Sequence, residues 1–215
     1  QVLAPLRDHG AAPCLANTKI EIQAYYCPRE DTLAWDAERF VPSLLDRFGA
    51  TGVTVVFAHE FGHAVQARLG LERAHRFDPE RYPPILLELM ADCFAGSALR
   101  YVFDGHAPQL GVAWPDRDTA LEVITRFRDP IGVVADDPGA HGNAFDRVTA
   151  FQDGLSDGPA RCATMSTDNR RFTQRAFVSA GDRARRGNLP LADLLEVFSV
   201  DARRWFSELA AAHGS

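Results

Sequence analysis

Thr54-Val-Val-Phe-Ala-His-Glu-Phe-Gly-His-Ala-Val-Gln-Ala-Arg-Leu69 is the stretch on which the reading of this chain turns. Its apolar residues recur at helical spacing, which suits a buried helix better than a loop. On such a helix His59 and His63 lie one turn apart on one face, so both imidazoles can reach a single zinc ion. Glu60 sits about 100° round the helix axis and can reach a water on the ion without binding the ion itself. The bland alternative is a helix with two surface histidines, but a helix this apolar has little surface to offer.

A third ligand is needed, and Pro84-Ile-Leu-Leu-Glu-Leu-Met-Ala-Asp-Cys-Phe-Ala-Gly-Ser-Ala-Leu-Arg100 supplies a candidate. This is a second apolar helical run, opened by prolines. Glu88 and Asp92 share one of its faces. Two acids on an apolar helix are costly to bury without a partner. Glu88 as the third zinc ligand would leave a fourth position for water. Asp92 would accept the free ring N–H of His59 or His63, fixing tautomer and orientation. A pair of acids bridged to arginines is the competing reading.

Ala58-His-Glu-Phe-Gly-His63, Glu88-Leu-Met-Ala-Asp-Cys-Phe-Ala-Gly96 and His141-Gly-Asn-Ala-Phe-Asp-Arg147 together resemble the bacterial putative neutral zinc metallopeptidase family. Tyr26-Cys-Pro28, Gly187-Asn-Leu-Pro-Leu191 and Trp205-Phe206 extend the likeness over about Cys14 to Phe206. The Glu-x-x-x-Asp pattern downstream of His-Glu-x-x-His is similar to the gluzincin clan. The resemblance implies a gluzincin-like domain, α+β and mostly helical, with a small edge-strand sheet beside the His-Glu-x-x-His helix. An extended substrate could add to that edge as a further strand. It also implies that His141 faces the metal and stabilises an oxyanion, with Arg147 orienting it or binding substrate. The residues themselves say only that 136–143 is turn-rich, so His141 lies on a loop able to reach a cleft.

The expected activity is zinc-dependent endopeptidase hydrolysis of a peptide or protein substrate, with one Zn2+ per chain. A zinc-activated water attacks, Glu60 is the general base and His141 stabilises the oxyanion. The rival readings are an amidase acting on cell-wall peptides and a catalytically silent zinc-binding scaffold. Glu60 counts against the scaffold, since a structural zinc site normally uses four protein ligands and needs no base.

With 215 residues and 46% hydrophobic content, the chain can bury a core as a single domain over 1–215. A net charge of −6 argues against general nucleic-acid binding. No run approaches the roughly 18 consecutive apolar residues of a membrane span, so the chain reads as soluble. Segment 161–186 is arginine-rich and is read as a solvated face. Cys14, Cys27, Cys93 and Cys162 lack C-x-x-C spacing, so a cysteine zinc site is not expected. Of the three possible pairings, Cys14–Cys27 and Cys93–Cys162 are preferred. The first would clamp the N-terminal extension, and the second would tie the Glu88 helix to a later segment. With a first residue other than Met, they point to an exported protein, extracellular or in the cell envelope. A cytoplasmic protein with four thiols is the alternative.

Along the chain, 1–17 is expected to be irregular and 19–26 to form a strand. Helices are predicted over 31–48, with Leu33, Phe40, Leu44, Leu45 and Phe48 inward and Asp31 or Thr32 as cap. Gly49 should end that helix, and 52–69 should form the next. A polar loop is predicted over 71–84. Further helices are expected at 119–128, 144–155, 171–185, 190–198 and 200–211.

Overall fold

A helix predicted to begin at Asp31 is preceded instead by a buried strand. In a computed structural model, which describes residues 2–6, 14, 23–137 and 139–213, three strands form one small sheet. They are β1 (Val2–Leu6), β2 (Ala24–Cys27) and β3 (Thr32–Asp36), in the order β1-β3-β2. β1 runs parallel to β3 and β2 antiparallel to it. Two expectations are corrected here. Residues 2–6 of the expected irregular extension are a strand, whose Pro5 is tolerated because β1 lies at an edge. Residues 32–36 belong to the sheet because Leu33 and Ala34 are buried on both sides of the pleat, which erases the alternation that marks a strand. The expected strand over 19–22 and the extension beyond residue 6, Cys14 apart, lie outside the described residues.

Asp36 ends β3 by accepting the backbone N–H groups of Glu38 and Arg39, at 2.9 and 2.8 Å. Helix α1 then runs from Phe40 to Leu69. Gly49 does not stop it: its backbone departs from helical values (φ 62°, ψ −157°) and kinks the helix, which resumes at once. Leu44 and Phe48 face inward as expected, whereas Leu45 is half exposed. By length and composition α1 is the one described helix that could cross a membrane. Here it packs on the sheet, with Trp35 edge-on to Phe57 at 5.1 Å.

Part of the predicted 71–84 loop is a short helix, α2 (Leu71–Phe77), and α3 (Pro84–Tyr101) follows with Pro84 in its first turn. Next come α4 (Arg117–Arg126), α5 (Ala144–Asp157) and α6 (Pro159–Ala163). The Asn143 side chain caps α5 by accepting from the Asp146 N–H at 2.9 Å.

Helix α3 lies between α1 and α5 and is buried on both sides. Two glycine contacts permit this. A Cβ on Gly62 of α1 would come within 2.9 Å of the Ala91 backbone on α3. Across the other face, a Cβ on Gly96 would meet the Phe151 carbonyl oxygen, and one on Gly154 the Cys93 carbonyl oxygen. Backbones therefore cross in near contact, and the side chains flanking each crossing are set by it. Both preferred disulfides are present. Cys14–Cys27 ties the N-terminal segment to β2, and Cys93–Cys162 ties α3 to α6 with Cα atoms 5.5 Å apart. Closing a loop of 69 residues contributes about 4 kcal/mol in the chain-entropy account.

The described residues fall into two compact units, Gln1–Gln174 and Arg175–Ser215. In the second, the helix expected over 171–185 is reduced to α7 (Ala180–Ala184), and the two helices expected beyond it are one, α8 (Leu191–His213). The mostly helical α+β class is as predicted.

Candidate metal centre

His59 and His63 project from the same face of α1, and their Nε2 atoms lie 3.2 Å apart. Glu88, one turn before Asp92 on α3, reaches across the Gly62 crossing. Its Oε2 lies 3.3 Å from His59 Nε2, and its Oε1 lies 3.4 Å from His63 Nε2. Donors held about 2.0–2.2 Å from a tetrahedral zinc are separated by roughly 3.3–3.6 Å, so the three residues have the spacing of such a site. Among the described residues buried Glu88 Oε2 has no hydrogen-bond partner, a costly arrangement for a carboxylate that a bound cation would relieve.

The remaining ring nitrogens are held in turn. His59 Nδ1 lies 2.8 Å from Asp92 Oδ1, so it donates its proton there and keeps Nε2 toward Glu88. His63 Nδ1 lies 3.0 Å from Gln66 Oε1, and the Gln66 amide donates to the Leu87 carbonyl on α3, which orients it to accept. Gln66 was not singled out in the sequence, although its position three residues after His63 places it on the same helix face.

Asp92 is fully buried and carries a second partner. Arg147 on α5 donates to both of its carboxylate oxygens, Nε to Oδ2 at 2.8 Å and Nη2 to Oδ1 at 2.7 Å, and its Nη1 donates to the Phe127 carbonyl at 2.6 Å. The expectation for Arg147 was a role beside His141 or on substrate. Arg147 is 3% exposed, is held by Asp92 and the Phe127 carbonyl, and also lines the cavity that His141 lines. The bridged-acid alternative and the histidine-orienting role thus coincide in Asp92.

Burial disfavours the charged forms here, but the partners outweigh it. His59 is pushed up to about 10 by Asp92 and Glu88. Burial likewise opposes ionisation of Glu88, yet His63, His59 and His141 hold it below the usual carboxylate range. Against the same burial, Arg147 and His59 hold Asp92 down.

His141 sits at the cleft mouth, with Nε2 4.0 Å from Glu88 Oε2. Its loop is pinned by Asp129, whose Oδ2 accepts the backbone N–H groups of His141 and Gly142 at 2.9 and 2.8 Å and the Gln174 amide at 2.7 Å. Asp129 Oδ1 is 3.7 Å from His141 Nδ1. Nothing in the local sequence marks Asp129 for this, since it precedes His141 by a whole loop. Glu60, 9% exposed, lines the same cavity as His59, His63, Glu88 and His141. Two further histidines are engaged elsewhere: His75 bonds the Tyr82 carbonyl, while His106 stacks on exposed Tyr101.

Segment 161–186 is not simply a solvated face. Arg170 is buried and bridges Asp153 at 2.6 Å and the Asp146 carbonyl at 3.0 Å.

Comparison with known proteins finds relatives of about one-third identity. The chain is 33% identical over 160 residues to the uncharacterized protein YpfJ of Escherichia coli K12, covering 66% of this chain and 53% of that one. It is 31% identical over 165 residues to the uncharacterized proteins Mb2605 of Mycobacterium bovis and Rv2575 of Mycobacterium tuberculosis, covering 68% of this chain and 56% of each. It thus spans about half the length of these curated relatives. No solved structure matches significantly. The family model described as "Putative neutral zinc metallopeptidase" matches residues 6–165, which contain His59, Glu60, His63, Glu88, Asp92, His141 and Arg147, and the chain belongs to that family.

Proposed function

We propose that this chain is a zinc-dependent peptidase, with His59, His63 and Glu88 holding the ion. The observation that supports this reading is the convergence of the two imidazole Nε2 atoms and the two Glu88 carboxylate oxygens at 3.2–3.4 Å, with Glu60 in the same cavity. Bound zinc would supply Lewis acidity, lowering the pKa of water and polarising the scissile carbonyl. Glu60 takes the proton of the attacking water and passes it to the leaving amine. His141, presented by its pinned loop, donates to the oxygen on which negative charge develops. Asp92 and Arg147 act behind His59, keeping its Nδ1 proton in place so that Nε2 remains a ligand. Gln23 to Tyr26, along β2, also line the cavity and present backbone groups to an extended peptide. The two disulfides support a working place outside the reducing cytosol.

The test is digestion of a diverse peptide library by the zinc-loaded protein beside Glu60→Gln. Removing a general base costs roughly 10²–10⁴-fold in rate. Cuts that fall by this factor in the variant support the reading, and equal cutting by the two proteins contradicts it. A parallel digest of cell-wall peptides separates peptidase from amidase.

A further inference from the structure

The loop that carries His141 closes on itself at Asp129. The Asp129 N–H donates to the Gly142 carbonyl at 2.9 Å, and Asp129 Oδ2 accepts the backbone N–H groups of His141 and Gly142. These groups all belong to the loop and move with it. The third donor to Oδ2 does not. It is Gln174 Nε2, at 2.7 Å, from a stretch beyond α6 whose backbone is fastened elsewhere. Buried Asp146, in the first turn of α5, accepts the N–H groups of Thr173 and Gln174 and the Thr173 hydroxyl at 2.8–3.0 Å. Asn143, the cap of α5, donates its amide to Thr173 Oγ1 at 2.9 Å. Gln174 therefore carries the hold of α5 across to the Asp129 carboxylate.

Packing alone does not account for this amide. Gln174 is 8% exposed, and among the described residues its buried Oε1 has no hydrogen-bond partner. Turning the amide over would set Oε1 against Asp129 Oδ2, two acceptors in contact, so the partner fixes its orientation. An orphaned acceptor is costly, and an apolar side chain of the same shape avoids that cost. Stability therefore does not call for glutamine here. What distinguishes it is the carboxylate that it holds.

Resting on the peptidase reading, we propose that Gln174 is a positioning residue for His141. With Oδ2 taken by three donors, the Asp129 carboxylate is kept from turning. Its Oδ1 then stays 3.7 Å from His141 Nδ1, and His141 Nε2 stays 4.0 Å from Glu88 Oε2. Without the Gln174 donor, the carboxylate keeps only partners that move with the loop. The ring is then aimed less closely at the oxygen on which charge develops, while the groups on α1 and α3 are untouched. Gln174 is not among the described residues lining the cavity, so its effect reaches substrate through His141.

The test is Gln174→Met in the full, zinc-loaded chain, a change that keeps the length and removes both the donor and the orphaned acceptor. On a peptide that the parent cuts, kcat falls about tenfold, part of the roughly 10²–10³ that His141 itself supplies. KM is little changed and the melt stays close to the parent's. In a His141→Ala background the same change costs nothing further, because the group it aims is gone. A second measurement needs no activity. Amide exchange of the 139–143 stretch, read by mass spectrometry, is about tenfold faster in Gln174→Met, with α1 and α3 unaltered. An unchanged kcat, equal falls in both backgrounds, unchanged exchange or a Gln174→Met that does not fold overturns the proposal and leaves the peptidase reading standing. If the parent cuts no peptide, the peptidase reading falls and exchange alone decides. Faster exchange at His141 and Gly142 then upholds the hold of Gln174 on the loop, and unchanged exchange overturns it.

Discussion

His59 and His63 are held quite differently from His141, although all three face one cavity. The first two stand on α1 where Gly62 brings its backbone against α3, and the buried Asp92–Arg147 pair braces His59 from behind. His141 is half exposed on a loop fastened mainly by one carboxylate, Asp129, through backbone N–H groups. The groups proposed to hold an ion are thus built into the core, where any change also disturbs packing. His141, the group proposed to meet substrate, sits where it can be changed without disturbing the fold.

The sharpest way to break this contrast is Arg147→Met. It leaves buried Asp92 with His59 as its remaining partner, which costs about 3–5 kcal/mol of stability and loosens His59. A thermal melt within 1 °C of the parent would mean that the brace is not part of the core. His141→Ala should do the reverse. Loss of one donor to the developing charge costs roughly 10²–10³ in kcat, with an unchanged melt. A variant that melts early at full kcat would invert the comparison.

A smaller effect separates the regions by pH in the metal-free protein. Asp92 and Glu88 are held below their unfolded values of 3.8 and 4.5, so their contribution is present above those values and fades as pH falls. His59 is raised from 6.5 to about 10, so its contribution is full below 6.5 and is lost as pH climbs toward 10. Melts in chelator should therefore peak between about pH 4.5 and 6.5. Zinc should move the optimum upward, because the metal needs the His59 Nε2 lone pair. A chelated protein that grows steadily more stable up to pH 9 contradicts this ionisation pattern.

The ligand helices were legible because their information is local. The spacings of His59 to His63 and of Glu88 to Asp92 each amount to about one turn, and an apolar flank reveals a buried helix from a single window. What was missed depends on distant partners. Arg147 meets Asp92 only because Gly96 and Gly154 let α3 and α5 cross closely, and no window contains both. The helix expected from residue 171 fails to form there because buried Asp146 accepts the backbone N–H groups of Thr173 and Gln174, at 2.8 and 3.0 Å, and draws that stretch out of helical geometry. β3 was hidden for the opposite reason. A central strand buried on both faces reads as an uninterrupted apolar run, and the helical spacing of Phe40, Leu44 and Phe48 just beyond absorbed it.

The central claim is that His59, His63 and Glu88 hold one zinc that the core is built to receive. Zinc content per folded chain, measured on the parent, Glu60→Gln and His63→Ala after dialysis against trace metal, tests it most directly. The account predicts one zinc per chain in the first two and none in His63→Ala, with all three folded. Zinc retained at full stoichiometry by His63→Ala would contradict it.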